Sequence, residues 1–326
     1  MKALICERLS EDLSGLAFKD VPKPEPGPSQ IRVKVKAASV NYPDILLCQG
    51  KYQLKLTPPF IPGIDIAGHV DALGEGVTGF TQDQAVIGGV RYGGFADYVI
   101  VDAGALQPKP ETFSFAEAAA YQTAYLTAYV ALVRRANLQP GEVLLVHGAS
   151  GGVGMAAVDV GKALGATVIA SSADDRKLDA LILYGADYVV NSSQGFKDKV
   201  KALTGGRGAD VIFDPVGGDI FDESVRCIAF EGRLCVIGFA SGRIAQLPTN
   251  LALIKGFSLM GVRAGEYGRQ FPDRGRENIA TIWQWAREGR THPRIHAEYP
   301  LEAAQHAFQA LIDRQVLGKI ILRPSG

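Results

Sequence analysis

The chain of 326 residues has only four cysteines, Cys6, Cys48, Cys227 and Cys235, and no two of them form a C-x-x-C pair. Thiols scattered in this way offer neither a structural zinc site nor a disulfide framework, so free, partly buried cysteines are expected. Net charge is also absent, since 34 Lys and Arg balance 34 Asp and Glu. Without a positive field nothing drives counterion release from nucleic acid or adhesion to anionic lipid, and both are excluded as expected partners. No apolar run approaches the ~18 residues of a membrane span. The start, MKALICERLSEDL, meets Glu7 and Arg8 before a leader core can form, and a cytoplasmic protein is expected. Internal repeats and low-complexity tails are missing as well.

What is present is a globular composition, 47% hydrophobic and 21% charged, with length for about two domains at ~150 residues each. Glycine is abundant, with 38 residues, and its clustering carries information. From Met1 to about Pro110, short alternating segments such as IRVKVKAASV, PGIDIAGHV and ADYVIV lie among Gly and Pro and predict a β-rich unit. The stretch FAEAAAYQTAYLTAYVALVRR then predicts a mostly buried helix.

From Glu142 strand and helix patterns alternate: EVLLVHG, VGMAAVDVGKAL, TVIASS, DRKLDALILYG, DYVVN, FKDKVKAL, DVIFDPV, DIFDESVRCIAF and RLCVIGF. This alternation predicts an α/β fold with a doubly wound parallel sheet covered on both faces. Two amphipathic helices, about 276–287 and 301–313, precede a last strand, KIILRP, expected to return to the first domain.

Directly after VLLVHG stands Ala149-Ser150-Gly151-Gly152-Val153-Gly154, an A-x-G-x-x-G form of the dinucleotide fingerprint at a strand-to-helix junction. Ala149 is expected to permit the tight turn, Gly151 and Gly152 to let backbone approach a pyrophosphate, and Gly154 to let helix and strand pack closely. The helix N-terminus then offers N–H groups to the anion. The same residues read as G-x-S-x-G, a hydrolase nucleophile elbow at Ser150, with Asp214 and His292 following in triad order. The extra Gly154 and the β-rich region ahead of the loop speak against that alternative.

At the end of TVIASS, where a carboxylate would hold the ribose of NAD, stand Ser171 and Ser172, with Lys177 shortly after; this favours NADPH. FDPVGG and VIGFASG, the latter with Gly238 and Phe239, end later strands and are expected to line the nicotinamide half.

With these residues assembled, the chain resembles the zinc-independent medium-chain reductases of the quinone oxidoreductase (zeta-crystallin) type. GEVLLVHGASGGVGMAAVDVGK follows that family's signature except at Asp159, where glutamine is expected; SVNYPDILLCQGKY, PGIDIAGHV, LTAY with Thr127, and GKIIL extend the likeness. The resemblance implies a GroES-like catalytic domain over 1–120, completed by about 290–326, and a Rossmann NADP-binding domain over 121–289, in a homodimer.

It further implies that Asn41 and Tyr52 flank the nicotinamide and acceptor as catalytic residues, and that Asn41 and Thr127 join the fingerprint residues in holding cofactor. Asn41 is expected to donate a hydrogen bond to a forming oxyanion, and Tyr52 to donate one or deliver a proton. Zinc-dependent relatives carry a cysteine where this chain has Asn41, a G-H-E segment where it has Gly63-Ile64-Asp65, and a further cysteine where it has Thr123, so no metal is expected. Ser192 departs from a tyrosine that relatives often place near the 2′-phosphate. The expected activity is NADPH-dependent hydride transfer to a small-molecule quinone acceptor. The alternatives are enoyl-thioester or enone reduction, and a cofactor-binding structural or sensor role.

Overall fold

A computed structural model describes residues 1–325. In chain order the first elements are β1 (Lys2–Cys6), β2 (Leu16–Asp20), β3 (Gln30–Val40), α1 (Tyr42–Cys48), β4 (Asp65–Leu73), β5 (Ala85–Gly89), β6 (Tyr98–Asp102), β7 (Leu106–Pro108) and α2 (Phe115–Tyr129). The alternating stretch is β8 (Val143–Val146), α3 (Gly152–Ala163), β9 (Thr167–Ser172), α4 (Leu178–Leu183), β10 (Tyr188–Asn191), α5 (Lys197–Leu203), β11 (Ala209–Asp214), α6 (Gly218–Ser224), β12 (Ile228–Val236), α7 (Thr249–Lys255) and β13 (Ser258–Gly261). The chain closes with α8 (Ala264–Gln270), α9 (Pro272–Arg287), β14 (Ile295–Pro300), α10 (Ala304–Ile312) and β15 (Lys319–Arg323).

The chain divides into two compact units, Met1–Thr123 together with the chain from Pro293 onward, and Ala124–His292. Both divisions fall slightly later than the expected 120/121 and 289/290.

In the first unit β14-β15-β3-β4-β5-β7 form a sheet with β6 paired to β3, and β1 pairs with β2. Alternation along β3 buries Ile31, Val33, Val35 and Ala37 completely, because a pleated strand sends every second side chain to one face. The strand near the C-terminus returns here as expected: β15 runs antiparallel to β3 with Ile320 opposite Val40.

The second unit holds a six-stranded sheet in the order β10-β9-β8-β11-β12-β13. Every pairing in it is parallel. This is the doubly wound Rossmann arrangement; its order reverses between β8 and β11, and the C-terminal ends of the strands there are where open α/β sheets bind ligands. The β8 strand, VLLV, is buried throughout, as a central parallel strand requires.

The chain differs from its sequence reading at two places. The segment DIFDESVRCIAF is helical only as far as Ser224, and Ile228 to Phe230 already belong to β12, paired from Ala209 opposite Ile228. Pairing with β11 outweighs the local helical pattern, a tertiary effect on a short segment. The sixth strand, β13, has little apolar pattern because it is the sheet's outer edge, with Ser258, Leu259 and Gly261 exposed. All four cysteines are buried and free. No helix among the described residues is long and apolar enough to cross a membrane.

Candidate active site

The fingerprint loop lies where β8 meets α3. The left-handed turn falls on Gly148, with φ +54°, so glycine is needed one residue earlier than the expected Ala149, which is instead buried under the loop. The Ala149 N–H donates to the Ser171 carbonyl at 3.0 Å, tying the loop to the end of β9. A Cβ on Gly154 would stand 2.3 Å from the Gly148 carbonyl oxygen, so this position admits hydrogen alone. At Gly151, the N-cap of α3, no side chain caps the helix. The Gly151 N–H is spent on the Gly148 carbonyl at 3.0 Å, and the first-turn N–H groups after it, beside half-exposed Gly152 and Val153, form a backbone cradle suited to a phosphate.

Other expected cofactor residues sort by what already occupies them. The Ser171 hydroxyl, one of the expected cofactor residues, is buried and bonded to His147 Nδ1 at 2.8 Å, so in this structure it serves the core beneath the loop. Asp174 caps its own turn through the Arg176 N–H and holds the Arg176 guanidinium with both oxygens, at 3.0 and 2.9 Å. Lys177 is half-buried, which pushes its ammonium below the usual lysine range, with Asp174 opposing. Ser192 opens a single helical turn, Ser192–Gln194. Gly238 and exposed Phe239 follow β12, and their loop is laced to the end of β11 by the N–H groups of Ala240 and Ser241 on the Pro215 and Val216 carbonyls. Thr127 is half-buried on α2.

The hydrolase alternative finds no support. Asp214 accepts the N–H groups of Val216 and Gly217 at 2.8 and 2.9 Å, whereas His292 bonds through its backbone N–H to Asp159 and its ring meets that of Tyr184 at a tilt of 52°. Among the described residues neither is bonded to Ser150.

In the first unit the residues singled out around Asn41 do assemble. Asn41 is the N-cap of α1, and its N–H donates to Asp44 Oδ2 at 2.8 Å, while Gly63 N–H donates to Asp44 Oδ1 at 3.2 Å. Asp44 thus ties the start of α1 to the turn before β4. Complete burial pushes its carboxyl up to about 7, with the two N–H donors opposing and Asp65 adding to the rise.

The Asn41 carboxamide donates from Nδ2 to Asp65 Oδ2 at 3.0 Å and to the Ser39 carbonyl at 3.2 Å. Its Oδ1 accepts from Lys319 Nζ at 2.6 Å. Thr123 Oγ1 donates to Asp65 Oδ1 at 2.6 Å. Burial raises the Asp65 carboxyl and lowers the Lys319 ammonium, and the attraction between the two opposes both shifts. Both Asn41 amide hydrogens therefore already have acceptors, and donation to a further oxygen requires one of these contacts to be exchanged.

The contact to Ser39 is the longer of the two, and its hydrogen is the one a competing oxygen would take. By contrast, the Tyr52 hydroxyl has no hydrogen-bond partner among the described residues; its ring is half-buried on the core of the first unit. Tyr52 is placed by α1, because Gly50 turns the chain in the left-handed region and the Tyr52 N–H returns to the Leu46 carbonyl at 3.2 Å.

Lys319 is the residue the sequence reading missed. The GKIIL segment carried only a likeness, and a lysine opening a strand usually reads as solvated.

Residues 27–111 match the alcohol dehydrogenase GroES-like domain and residues 152–284 the zinc-binding dehydrogenase domain. Quinone oxidoreductase-like protein 2 of Mus musculus is 38% identical over 98% of this chain and 91% of its own length. The chain belongs to the quinone oxidoreductase family of medium-chain dehydrogenases/reductases. Within that family, the quinone oxidoreductase of Sus scrofa is 32% identical over 93% of this chain and 92% of its own length. The quinone oxidoreductase of Thermus thermophilus, solved also in complex with NADPH, superposes with a TM-score of 0.87 at 31% identity, covering 99% of this chain and 100% of that one.

The zinc named in one family description finds unsuitable donors here. Asn41, Ile64 and Thr123 bring no thiolate or imidazole, Asp65 is taken up by Asn41 and Thr123, and among the described residues no three His, Cys, Asp or Glu gather as a metal would need.

Proposed function

We propose that this oxidoreductase binds NADPH on its second unit and transfers hydride to a quinone-type acceptor without zinc. The observation that carries this is the uncapped N-terminus of α3, reached through the Gly148 turn at the C-terminal end of β8, beside the reversal of strand order. Ser150, Gly151, Gly152, Val153 and Gly154 would hold the pyrophosphate, Lys177 the 2′-phosphate, and Gly238, Phe239, Thr127 and Asn41 the nicotinamide half. At the end of β9 Asp174 is chelated by Arg176, Asp175 accepts the Asn191 amide at 2.7 Å, and Lys177 follows, an arrangement that favours NADPH over NADH. When bound, NADPH supplies the hydride.

Negative charge then develops on an acceptor oxygen, where Asn41 stabilises it by exchanging its Ser39 contact. A quinone that gains hydride takes one proton from water to become the hydroquinone. Enoyl-thioester or enone reduction is the second reading, favoured by the unpartnered Tyr52 hydroxyl, a group free to donate a proton to the carbanionic carbon left by hydride addition.

The test is calorimetry with NADPH and NADH, followed by NADPH oxidation with 1,4-naphthoquinone and, separately, crotonyl-CoA. Binding of NADPH with reduction of the quinone is expected. No heat with either nucleotide overturns the reading, and binding with no acceptor reduced across a broad panel favours a structural or sensor role.

The unit is also expected to pair with a second copy. The outer strand β13 leaves one edge open, beside exposed Phe230 (76%), Leu253 (82%) and Ile254 (70%), and an open edge with apolar flanks suits a homodimer. Sedimentation at micromolar concentration reads this directly.

A further inference from the structure

Lys319 lies at the start of β15, one residue before Ile320, which faces Val40, so its register places it beside Asn41. Gly318 makes this possible: with φ +104° it passes so close to β14 that a Cβ would stand 2.2 Å from the Arg294 carbonyl oxygen. The lysine is 6% exposed, and its ammonium donates to Asn41 Oδ1 at 2.6 Å and to the Val40 carbonyl at 3.2 Å.

On its other side the same carboxamide gives Nδ2 to the buried Asp65 carboxylate at 3.0 Å, which Thr123 holds through the second oxygen. The Asn41 side chain therefore bridges a buried cation and a buried anion, with its carbonyl toward the cation and its NH2 toward the anion. Turning it over would set NH2 against ammonium and oxygen against carboxylate, two repulsive contacts in a weakly screened interior. A carboxamide alone has no such preference, because its two ends are nearly the same shape.

We propose that Lys319 is a positioning residue for acceptor reduction, holding the Asn41 carboxamide so that its NH2, and not its oxygen, meets the acceptor oxygen on which negative charge develops. This presupposes that Asn41 borders the acceptor. The place that zinc-dependent relatives give to a metal is filled here by a fixed dipole anchored at both ends. Asp65 is the second anchor, and Asp44 fixes the backbone of Asn41 from the α1 side.

The test compares the wild type with Lys319→Met and with Lys319→Met/Asp65→Asn. The double variant removes the Lys319 cation and the Asp65 anion together and leaves Asp44 its two N–H donors, so a folding defect due only to an unpaired Asp65 carboxylate is relieved while the carboxamide remains unanchored. Thermal midpoint, NADPH calorimetry, acceptor kinetics and the Asn41 side-chain amide signal in 15N-asparagine-labelled protein are read for each.

Expected are NADPH affinity near the wild type, a kcat lowered about tenfold or more in both variants, and an Asn41 amide signal that shifts or splits into two orientations. A double variant with wild-type kcat and an unchanged amide signal overturns the proposal and leaves Lys319 as charge balance alone. The amide signal reports on Lys319, and calorimetry on the wild type reports on cofactor binding, so failure of one is distinguishable from failure of the other.

Discussion

The Ser171 hydroxyl and His147 Nδ1 lie 2.8 Å apart, fully buried beneath the phosphate loop. The proton positions follow from the far side of the ring. Ser224 Oγ donates its one hydrogen to the Ile220 carbonyl at 2.7 Å, so it accepts from His147 Nε2 at 2.8 Å. His147 is therefore the Nε2–H tautomer, and Ser171 donates to Nδ1. One neutral imidazole thus joins β8, β9 and α6.

Burial holds the His147 pKa at about 3, against 6.5 when solvated. A base whose pKa is depressed on folding leaves the native state with fewer protons than the unfolded one between those values, so stability falls as pH drops from 6.5 toward 3. His147→Phe removes this component. Urea midpoints at pH 8 and pH 5 are expected to differ less in the variant than in the wild type, about these working pH values. Ser171→Ala is expected to cost about 1 kcal/mol of stability while NADPH affinity is retained, because the hydroxyl serves the core.

Gly154→Ala probes the close approach of α3 to the loop. Its methyl would stand 2.3 Å from the Gly148 oxygen, and the helix start must move. Strain of about 1–3 kcal/mol, felt where the pyrophosphate would sit, translates to NADPH binding weakened about ten- to hundredfold by calorimetry. Wild-type affinity in a folded Gly154→Ala variant would show that the cradle does not hold the nucleotide.

Lys177→Ala separates the two nucleotides. Loss of a charged donor to the 2′-phosphate costs about 1.5 kcal/mol, so the KM for NADPH rises about tenfold. The KM for NADH stays where it was. Equal effects on both would assign Lys177 to the loop's architecture instead.

Tyr52→Phe distinguishes the acceptor classes, since it removes one oxygen that bonds to nothing in the described structure and leaves the ring on its core contacts. Folding stability is expected to be unchanged. With crotonyl-CoA, kcat should fall about a hundredfold if the hydroxyl delivers the proton. Turnover of 1,4-naphthoquinone should persist, because water can protonate the hydroquinone anion.

The sequence by itself determined the β-rich first unit, the parallel sheet and the fingerprint, because period-two alternation, buried strands and a glycine loop at a strand end are local patterns. It could not show that the left-handed turn belongs to Gly148, that β12 begins at Ile228, or that a sixth strand closes the sheet at Ser258, since those depend on pairing between distant segments. The site divides in the same way. The position of the glycine loop at the end of β8 was legible from the motif. That Ser171 is spent on His147, that both Asn41 hydrogens are taken, and that Lys319 is the partner of Asn41 was decided only by the fold. The physical reason is that a hydrogen bond is a property of two groups, and 278 residues of chain separate Asn41 from the lysine that orients it.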